Sequence, residues 1–388
     1  MICQIEMTRR EFIKNVAIGS LSVGLLTSPL NGIEGTAEAV TIDGEHIFVK
    51  KEAMYYEKLA EGQIKCKLCP KECEVENRER GWCGARENEK GIYYTMTYAN
   101  PCAVHIDPIE KMPFFHFLPS TWTLSVSTAA CNLNCKYCQN WQFSQRRPEQ
   151  TENVHLPSSQ LVKKAIETGC KSIAHTYAEP VAFYEWMLDN CKEAKKSGMK
   201  SVVVSAGYLQ KEPLKKLCQF ADAIKIDLKA FTDKFYTEIC SATLKPVLDN
   251  LKTLKESDVW FEVVDLIVPT LNDSEEEFKE LVLWVRENLG VDVPLHFSRF
   301  YPSYQLKNLP LTPLETVEKA RQIGLNEGLN YVYIGNVPGH PGESTYCPNC
   351  KQIVIQRFGF TILRNDIVDG KCKKCGHEIP GVWNEKFT

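Results

Sequence analysis

The chain has 388 residues, with 46 Lys and Arg against 49 Asp and Glu, a formal net charge of −3, and 44% hydrophobic residues. This is enough for one sizeable core plus small modules, and near-neutral charge excludes the broad basic surface that general nucleic-acid binding needs. No apolar run of ~18 residues occurs, so no transmembrane span is expected, and the 17 clustered cysteines point to metal rather than a disulfide scaffold.

The N-terminus reads Thr8-Arg9-Arg10-Glu11-Phe12-Ile13-Lys14, then an apolar stretch from Val16 to Leu26, then Ala37-Glu38-Ala39. An arginine pair, a short apolar stretch and a small-x-small site form a twin-arginine export signal. The alternative is an amphipathic helix that packs on the body. Residues 1–40 are therefore set aside as signal or tether. Four segments are expected: that one, a Cys-rich module over 41–115, the main domain over 116–340 and a ribbon over 341–388.

The first cysteine group is Cys66-x2-Cys69-x3-Cys73-x9-Cys83, with Gly81 and Gly84 letting the backbone bend toward a metal. Four thiolates suit zinc or an iron–sulfur cluster; the residues imply a structural or accessory metal of unfixed element. The second group, Cys131-x3-Cys135-x2-Cys138, has no fourth partner before Cys170. A [4Fe–4S] cluster ordinarily takes four thiolates, so three leave one iron open to the amino and carboxylate groups of a chelator such as S-adenosylmethionine. Electron transfer into its sulfonium would split a carbon–sulfur bond. A zinc site short of one ligand, or three buried thiols, would give the same bare pattern. Cys170, Cys191, Cys218 and Cys240 read as small buried apolar residues.

Beyond the second group, β-branched runs alternate with amphipathic helices. Strands are predicted at Thr123–Ser127, Ser172–Tyr177, Ser201–Ser205, Ala223–Leu228, Phe261–Val268, Leu295–Phe300 and Tyr331–Ile334. Helices are predicted at Leu161–Thr168 (capped by Ser158 or Ser159), Phe183–Ser197 and Phe278–Asn288, the last opened by Ser274 and three glutamates. This alternation implies an α/β fold with parallel strands and right-handed crossovers, either doubly wound or a full or partial (β/α) barrel, with chemistry at the carboxyl ends of the strands. The polar residues there are Glu179, Ser205, Asp227 with Lys229, Asn272, His296 with Ser298 and Arg299, and Asn336.

The last cysteines form two knuckles, Cys347-x2-Cys350 and Cys372-x2-Cys375, around a strand-like stretch from Ile353 to Ile362. Four thiolates at this spacing suit a closed tetrahedral zinc ribbon, a hairpin absorbing the long gap. Two disulfides are the rival.

Several strings then resemble a known family. Cys131-x3-Cys135-x-Tyr137-Cys138 is the signature of the radical S-adenosylmethionine (SAM) superfamily. Cys138-Gln139-Asn140-Trp141, Asp107-Pro108-Ile109-Glu110-Lys111, Pro294-Leu295-His296-Phe297-Ser298-Arg299-Phe300 and Tyr333-Ile334-Gly335-Asn336-Val337 resemble the AmmeMemoRadiSam-system radical SAM enzymes, relatives of the pyruvate formate-lyase activating enzymes. The resemblance runs from about Cys66 to Cys375 and implies a partial (β/α) barrel of the radical SAM type, flanked by the Cys-rich module and the zinc ribbon.

It implies that Cys131, Cys135 and Cys138 hold a [4Fe–4S] cluster and that Tyr137 lies beside the adenine of S-adenosylmethionine. Glu179 would receive the methionine ammonium, Asp227 and Lys229 would contact the cofactor's polar groups with Ser205 beside them, and His296 and Arg299 would close the far side. The family usually carries Gly where Ala130 precedes the first cysteine. The implied activity is reductive cleavage to a 5′-deoxyadenosyl radical that abstracts a hydrogen atom. The substrate would be a glycine of a protein partner, or alternatively a peptide, RNA or small molecule. The partner on the reducing side is a low-potential donor of the flavodoxin or ferredoxin type. A non-catalytic iron–sulfur electron carrier is the reading from another class, and it would need no Glu179, Asp227 or His296. Such chemistry is expected in the cytoplasm or at the cytoplasmic membrane face, with export by the twin-arginine route as the rival.

Overall fold

The computed structural model describes Glu38–Ala39 and Val49–Trp383; the twin-arginine segment lies outside the described residues, apart from Glu38 and Ala39 at its expected cleavage site. Its centre is one large sheet. In chain order the strands are β1 (Ala103–Pro108), β2 (Trp122–Ser127), β3 (Ser172–His175), β4 (Lys200–Ser205), β5 (Ala223–Asp227), β6 (Trp260–Ile267), β7 (Leu295–Arg299) and β8 (Val332–Gly335). They lie side by side in that order, β2 to β8 all parallel, with β1 antiparallel to β2 and Glu38–Ala39 paired on its outer edge. No hydrogen-bonded pairing joins β8 back to β1 among the described residues, so the sheet is a partial barrel.

The crossovers are helices α1 (Ser158–Glu167), α2 (Tyr184–Lys196), α3 (Lys211–Cys218), α4 (Leu244–Lys255), α5 (Glu275–Asn288) and α6 (Leu314–Asn326). Parallel strands sandwiched between helices and a filled interior are buried on both faces and so read as nearly continuous apolar runs. That is why β3 to β8 fall within two residues of the strands expected from sequence. Helix α5 starts as expected, with the Ser274 hydroxyl accepting from Glu277 N at 3.1 Å. The cap expected at Ser158 or Ser159 is not formed. Pro157 occupies the N-cap with φ −59° and no side-chain cap bond, and Ser158 is already the first helical residue.

Between β1 and β2 the chain crosses the lower end of the barrel. Ile109, Met112, Phe114 and Phe117 pack there on Ala174, Val202 and Ala223. The small inward residues of β3 and β5 leave room for the phenyl rings, and this plug closes the amino-terminal end of the strands. The upper, carboxyl-terminal end is left for the site.

Two three-stranded sheets precede the barrel: Val49–Glu52 with Arg86–Glu89 and Ile92–Tyr98, and Tyr56–Lys58 with Ile64–Cys66 and Glu74–Val75. After β8, Thr345–Tyr346, Ile353–Phe358 and Thr361–Asn365 form a small antiparallel sheet. Arg357 ties it to the plug, donating to Phe115 O at 2.7 Å with its guanidinium 4.1 Å from the Phe115 ring. No helix among the described residues is long and apolar enough to cross a membrane.

Candidate active site

The upper end of the barrel opens into a cavity of about 700 Å³ lined by residues from almost every strand end. Cys131, Cys135 and Cys138 line it together, on the loop that follows β2. Backbone bonds hold that loop: Asn134 N and Lys136 N donate to the carbonyls of Cys240 and Ile239, each at 3.0 Å. The carbonyls belong to a single π-helical turn, Tyr236–Cys240, an element that recurs at functional sites because its wider pitch re-aims backbone groups. Ala130, just before the loop, has φ +82°, a region where glycine is unstrained and alanine is not.

Glu179, four residues past the end of β3 at His175, also lines the cavity and is 4% exposed. Its carboxylate accepts from Ser205 Oγ at 2.6 Å, Ala206 N at 2.7 Å and Val181 N at 3.3 Å. Burial outweighs these bonds and raises its pKa above the usual glutamate range. All three donors are neutral, so the carboxylate has no directly bonded cation.

On the next strand over from Ser205, three inward positions in a row carry Lys225, Asp227 and Lys229, at period two along β5 and its end. Asp227 pairs with Lys225 through one oxygen and with Lys229 at 2.7 Å through the other. Burial pushes the Asp227 carboxyl up, but the two ammonium groups prevail and hold it well below the usual range. Two cations against one anion leave the triad with one positive charge. Asn272 secures its upper end, donating to Lys229 O at 3.0 Å while accepting from Val268 N at 2.6 Å.

His296 lines the cavity from β7 and donates through Nε2 to Glu262 Oε2 at 2.8 Å. Glu262 stands one row lower in β6, fully buried. It also accepts from Phe115 N and His116 N on the plug and from Trp260 Nε1. Burial lowers the His296 pKa despite Glu262 beside it, so the ring is neutral near pH 7, with its proton on Nε2.

The structure thus brings Cys131, Cys135, Cys138, Tyr137, Glu179, Ser205, Asp227, Lys229 and His296 around one cavity. Arg299 is not brought in. On β7 it alternates with His296 and Ser298, so it points away from the interior, and its Nε donates to Thr312 O at 2.6 Å. Lys225 and Glu262 were missed from sequence, although each is a charged residue inside a doubly buried strand. Cys240 is more than an apolar filler: its thiol lies 3.6 Å from the Tyr137 hydroxyl, behind the three-cysteine loop and off the cavity wall.

The other two cysteine groups lie outside the cavity. Cys347, Cys350, Cys372 and Cys375 bring their sulfurs within 4.8 Å of one another, with contacts of 3.6 and 3.7 Å, and the gap between the knuckles is filled by the Ile353–Asn365 hairpin. Cys66, Cys69, Cys73 and Cys83 surround a separate small hollow. No disulfide occurs among the described residues.

Comparison with known proteins agrees with this geometry. The model of the radical SAM superfamily matches residues 125–285, from β2 through α5. An uncharacterized protein of Methanocaldococcus jannaschii is 45% identical over 331 residues, covering 85% of this chain and 98% of its own length. The pyruvate formate-lyase-activating enzyme of Clostridium pasteurianum is 24% identical over 208 residues, 51% of this chain and 86% of that enzyme. Among solved structures, a radical SAM methyltransferase from Sphaerobacter thermophilus aligns at 15% identity and a TM-score of 0.46, covering 64% of this chain and 72% of that one.

Proposed function

We propose, from the premise that the chain belongs to the radical SAM superfamily and is a radical SAM enzyme, that Cys131, Cys135 and Cys138 hold its [4Fe–4S] cluster. The donor set fits: Cys131, Cys135 and Cys138 line the cavity, and three thiolates on four irons leave one iron for an exchangeable ligand. When bound, the cluster supplies the electron that splits a carbon–sulfur bond of S-adenosylmethionine, and the resulting 5′-deoxyadenosyl radical takes a hydrogen atom from the substrate.

The chain's own residues receive the cofactor. Glu179, a buried carboxylate without a bonded cation, is the seat for the methionine ammonium. The net positive triad Lys225–Asp227–Lys229 suits the carboxylate, and Tyr137, between the second and third cysteines, suits the adenine. His296, neutral and fixed by Glu262, offers an acceptor at the far wall. The single observation that carries this reading is that the three thiols, Glu179 and the Lys–Asp–Lys triad line one cavity at the carboxyl ends of parallel strands.

Kinship to activating enzymes, together with the AmmeMemoRadiSam-like strings, supports hydrogen abstraction from a glycine of a protein partner, fed by a low-potential donor of the flavodoxin or ferredoxin type. The C-terminal four-cysteine site is read as structural zinc. Zn–S bonds of about 2.3 Å in a tetrahedron place sulfurs about 3.8 Å apart, close to the 3.6 and 3.7 Å contacts here. Among the described residues the thiols are unpaired, which supports a reducing compartment.

The test is 5′-deoxyadenosine release from S-adenosylmethionine after dithionite reduction. The native chain should release it, and Cys135→Ala should not, while zinc bound at Cys347, Cys350, Cys372 and Cys375 stays unchanged. An undiminished rate in Cys135→Ala would overturn the assignment.

A further inference from the structure

Cys66, Cys69, Cys73 and Cys83 lie in the N-terminal region, outside the cavity that serves the proposed reaction. They do not converge as the C-terminal four do. Among the described residues only Cys347, Cys350, Cys372 and Cys375 bring their ligand atoms within 4.8 Å of one another. The N-terminal four stand apart around a common hollow, whose walls are completed by Leu68, Tyr93 and Val181 among others. One tetrahedral ion draws four sulfurs to about 3.8 Å. A cubane binds each thiolate to a different iron and holds them further apart. Cys131, Cys135 and Cys138, the set that the superfamily uses for a cubane, likewise fall outside the 4.8 Å grouping.

A second, independent feature points the same way. Arg86 lines this hollow and is 1% exposed. Its guanidinium bonds Met54 O at 3.0 Å and Glu185 Oε1 at 2.5 Å, but Nε has no hydrogen-bond partner. A buried N–H without an acceptor is destabilising. A zinc ion wrapped in four thiolates offers only those thiolates, whereas a cluster carries bridging sulfides that project between them and accept N–H bonds. One of the four sulfurs already has a donor: Trp82 N donates to Cys73 Sγ at 3.3 Å. Gly81 shows how tightly the backbone wraps the hollow. A Cβ there would lie 2.5 Å from the Tyr93 hydroxyl and 3.7 Å from Cys73 Sγ.

We propose that Cys66, Cys69, Cys73 and Cys83 hold a second iron–sulfur cluster of the four-thiolate [4Fe–4S] class, with Arg86 Nε–H directed at one of its sulfides. The hollow reaches Asn132, the residue after Cys131, so this cluster would sit directly behind the three-cysteine loop.

The test uses the full-length chain, reconstituted anaerobically with iron and sulfide, carrying Cys131→Ala, Cys135→Ala and Cys138→Ala together. Expected are about four iron and four sulfide per chain, a paramagnetic resonance signal on dithionite reduction, and zinc confined to the C-terminal four. Iron-free protein with zinc at both four-cysteine sites would overturn the proposal. Should that variant fail to fold, Cys73→Ser with Cys83→Ser in the otherwise native chain replaces it. Iron should then fall by about four atoms against the native chain, and unchanged iron with zinc reduced would overturn the proposal. Neither readout depends on cleavage of S-adenosylmethionine, so failure of the proposed reaction and failure of this cluster are told apart.

Discussion

Glu179 and Glu262 are both buried and both belong to the barrel interior, yet their surroundings differ in kind. Glu262, in the row beneath the cavity, accepts from Phe115 N, His116 N, Trp260 Nε1 and His296 Nε2. Those bonds outweigh burial and hold its carboxyl below the usual range. Glu179, on the cavity wall, has three neutral donors, and burial prevails, raising its pKa. The lower glutamate has its partners in the fold. The upper one has fewer and borders an open cavity. Buried charge is costly unless paired, so a carboxylate kept half-satisfied at a cavity wall marks a place for a ligand, whereas a saturated one marks a structural joint.

The largest effect should come from breaking the joint. Glu262→Gln turns one acceptor oxygen into a donor that meets the donors already aimed there, and it removes the charge that the plug and His296 share. Unfolding free energy at pH 7, measured in urea, should fall by about 3–5 kcal/mol, as several hydrogen bonds to one buried carboxylate are weakened together. A loss below about 1 kcal/mol, the level of a surface substitution, would erase the distinction between the two glutamates.

The intermediate effect belongs to Glu179. Glu179→Gln keeps the shape and, with a turn of the Ser205 hydroxyl, keeps bonds to Ser205 and Ala206, but it cannot offer a charge to an ammonium. Affinity for S-adenosylmethionine, by calorimetry on the cluster-loaded chain, should drop by about 1.5–3 kcal/mol, roughly ten- to a hundredfold. Iron content should not change. Equal affinity would mean that the ammonium goes elsewhere and that Glu179 is as structural as Glu262.

Much of this could be read from the sequence. Doubly buried parallel strands leave long apolar runs, and the polar residue just past each run was Glu179, Ser205 or Asp227, all of which reach the cavity. What escaped was the direction of side chains within strands. His296 and Arg299 lie three apart, an odd separation that sends them to opposite faces, and only His296 reaches the cavity. Lys225 precedes Asp227 by two, so the triad was encoded in Ala223-Ile224-Lys225-Ile226-Asp227-Leu228-Lys229, and a lysine inside an apolar strand was the signal. The partners of Glu262 could not be read. Two are backbone N–H groups of the plug, 146 and 147 residues away, and the plug itself carries no strand or helix periodicity. Ala130 is another kind of case. A glycine is expected there, and with alanine at φ +82° the turn is kept at the expense of strain.

The smallest effect is one of sign. A carboxyl whose folded pKa is raised contributes stability that is fully present below its unfolded value, near 4.3 for glutamate, and lost as pH rises through the folded value. Glu179 is of this kind. A carboxyl with a depressed folded pKa, as in Glu262, contributes stability above about 4.3 that is lost as pH falls. Without S-adenosylmethionine, the native chain should therefore lose stability relative to Glu179→Gln as pH rises from about 4.3 toward neutrality, because only the native chain must ionise a buried group there. Metal release at acid pH is common to both proteins and cancels in the difference. Urea midpoints across this range should show the variant gaining on the native chain with rising pH, and saturating S-adenosylmethionine should reverse the order at pH 7 by supplying the missing cation. A difference that stays flat with pH would show Glu179 to be as well served by its surroundings as by water, and the contrast with Glu262 would then rest on their neighbours alone and not on charge.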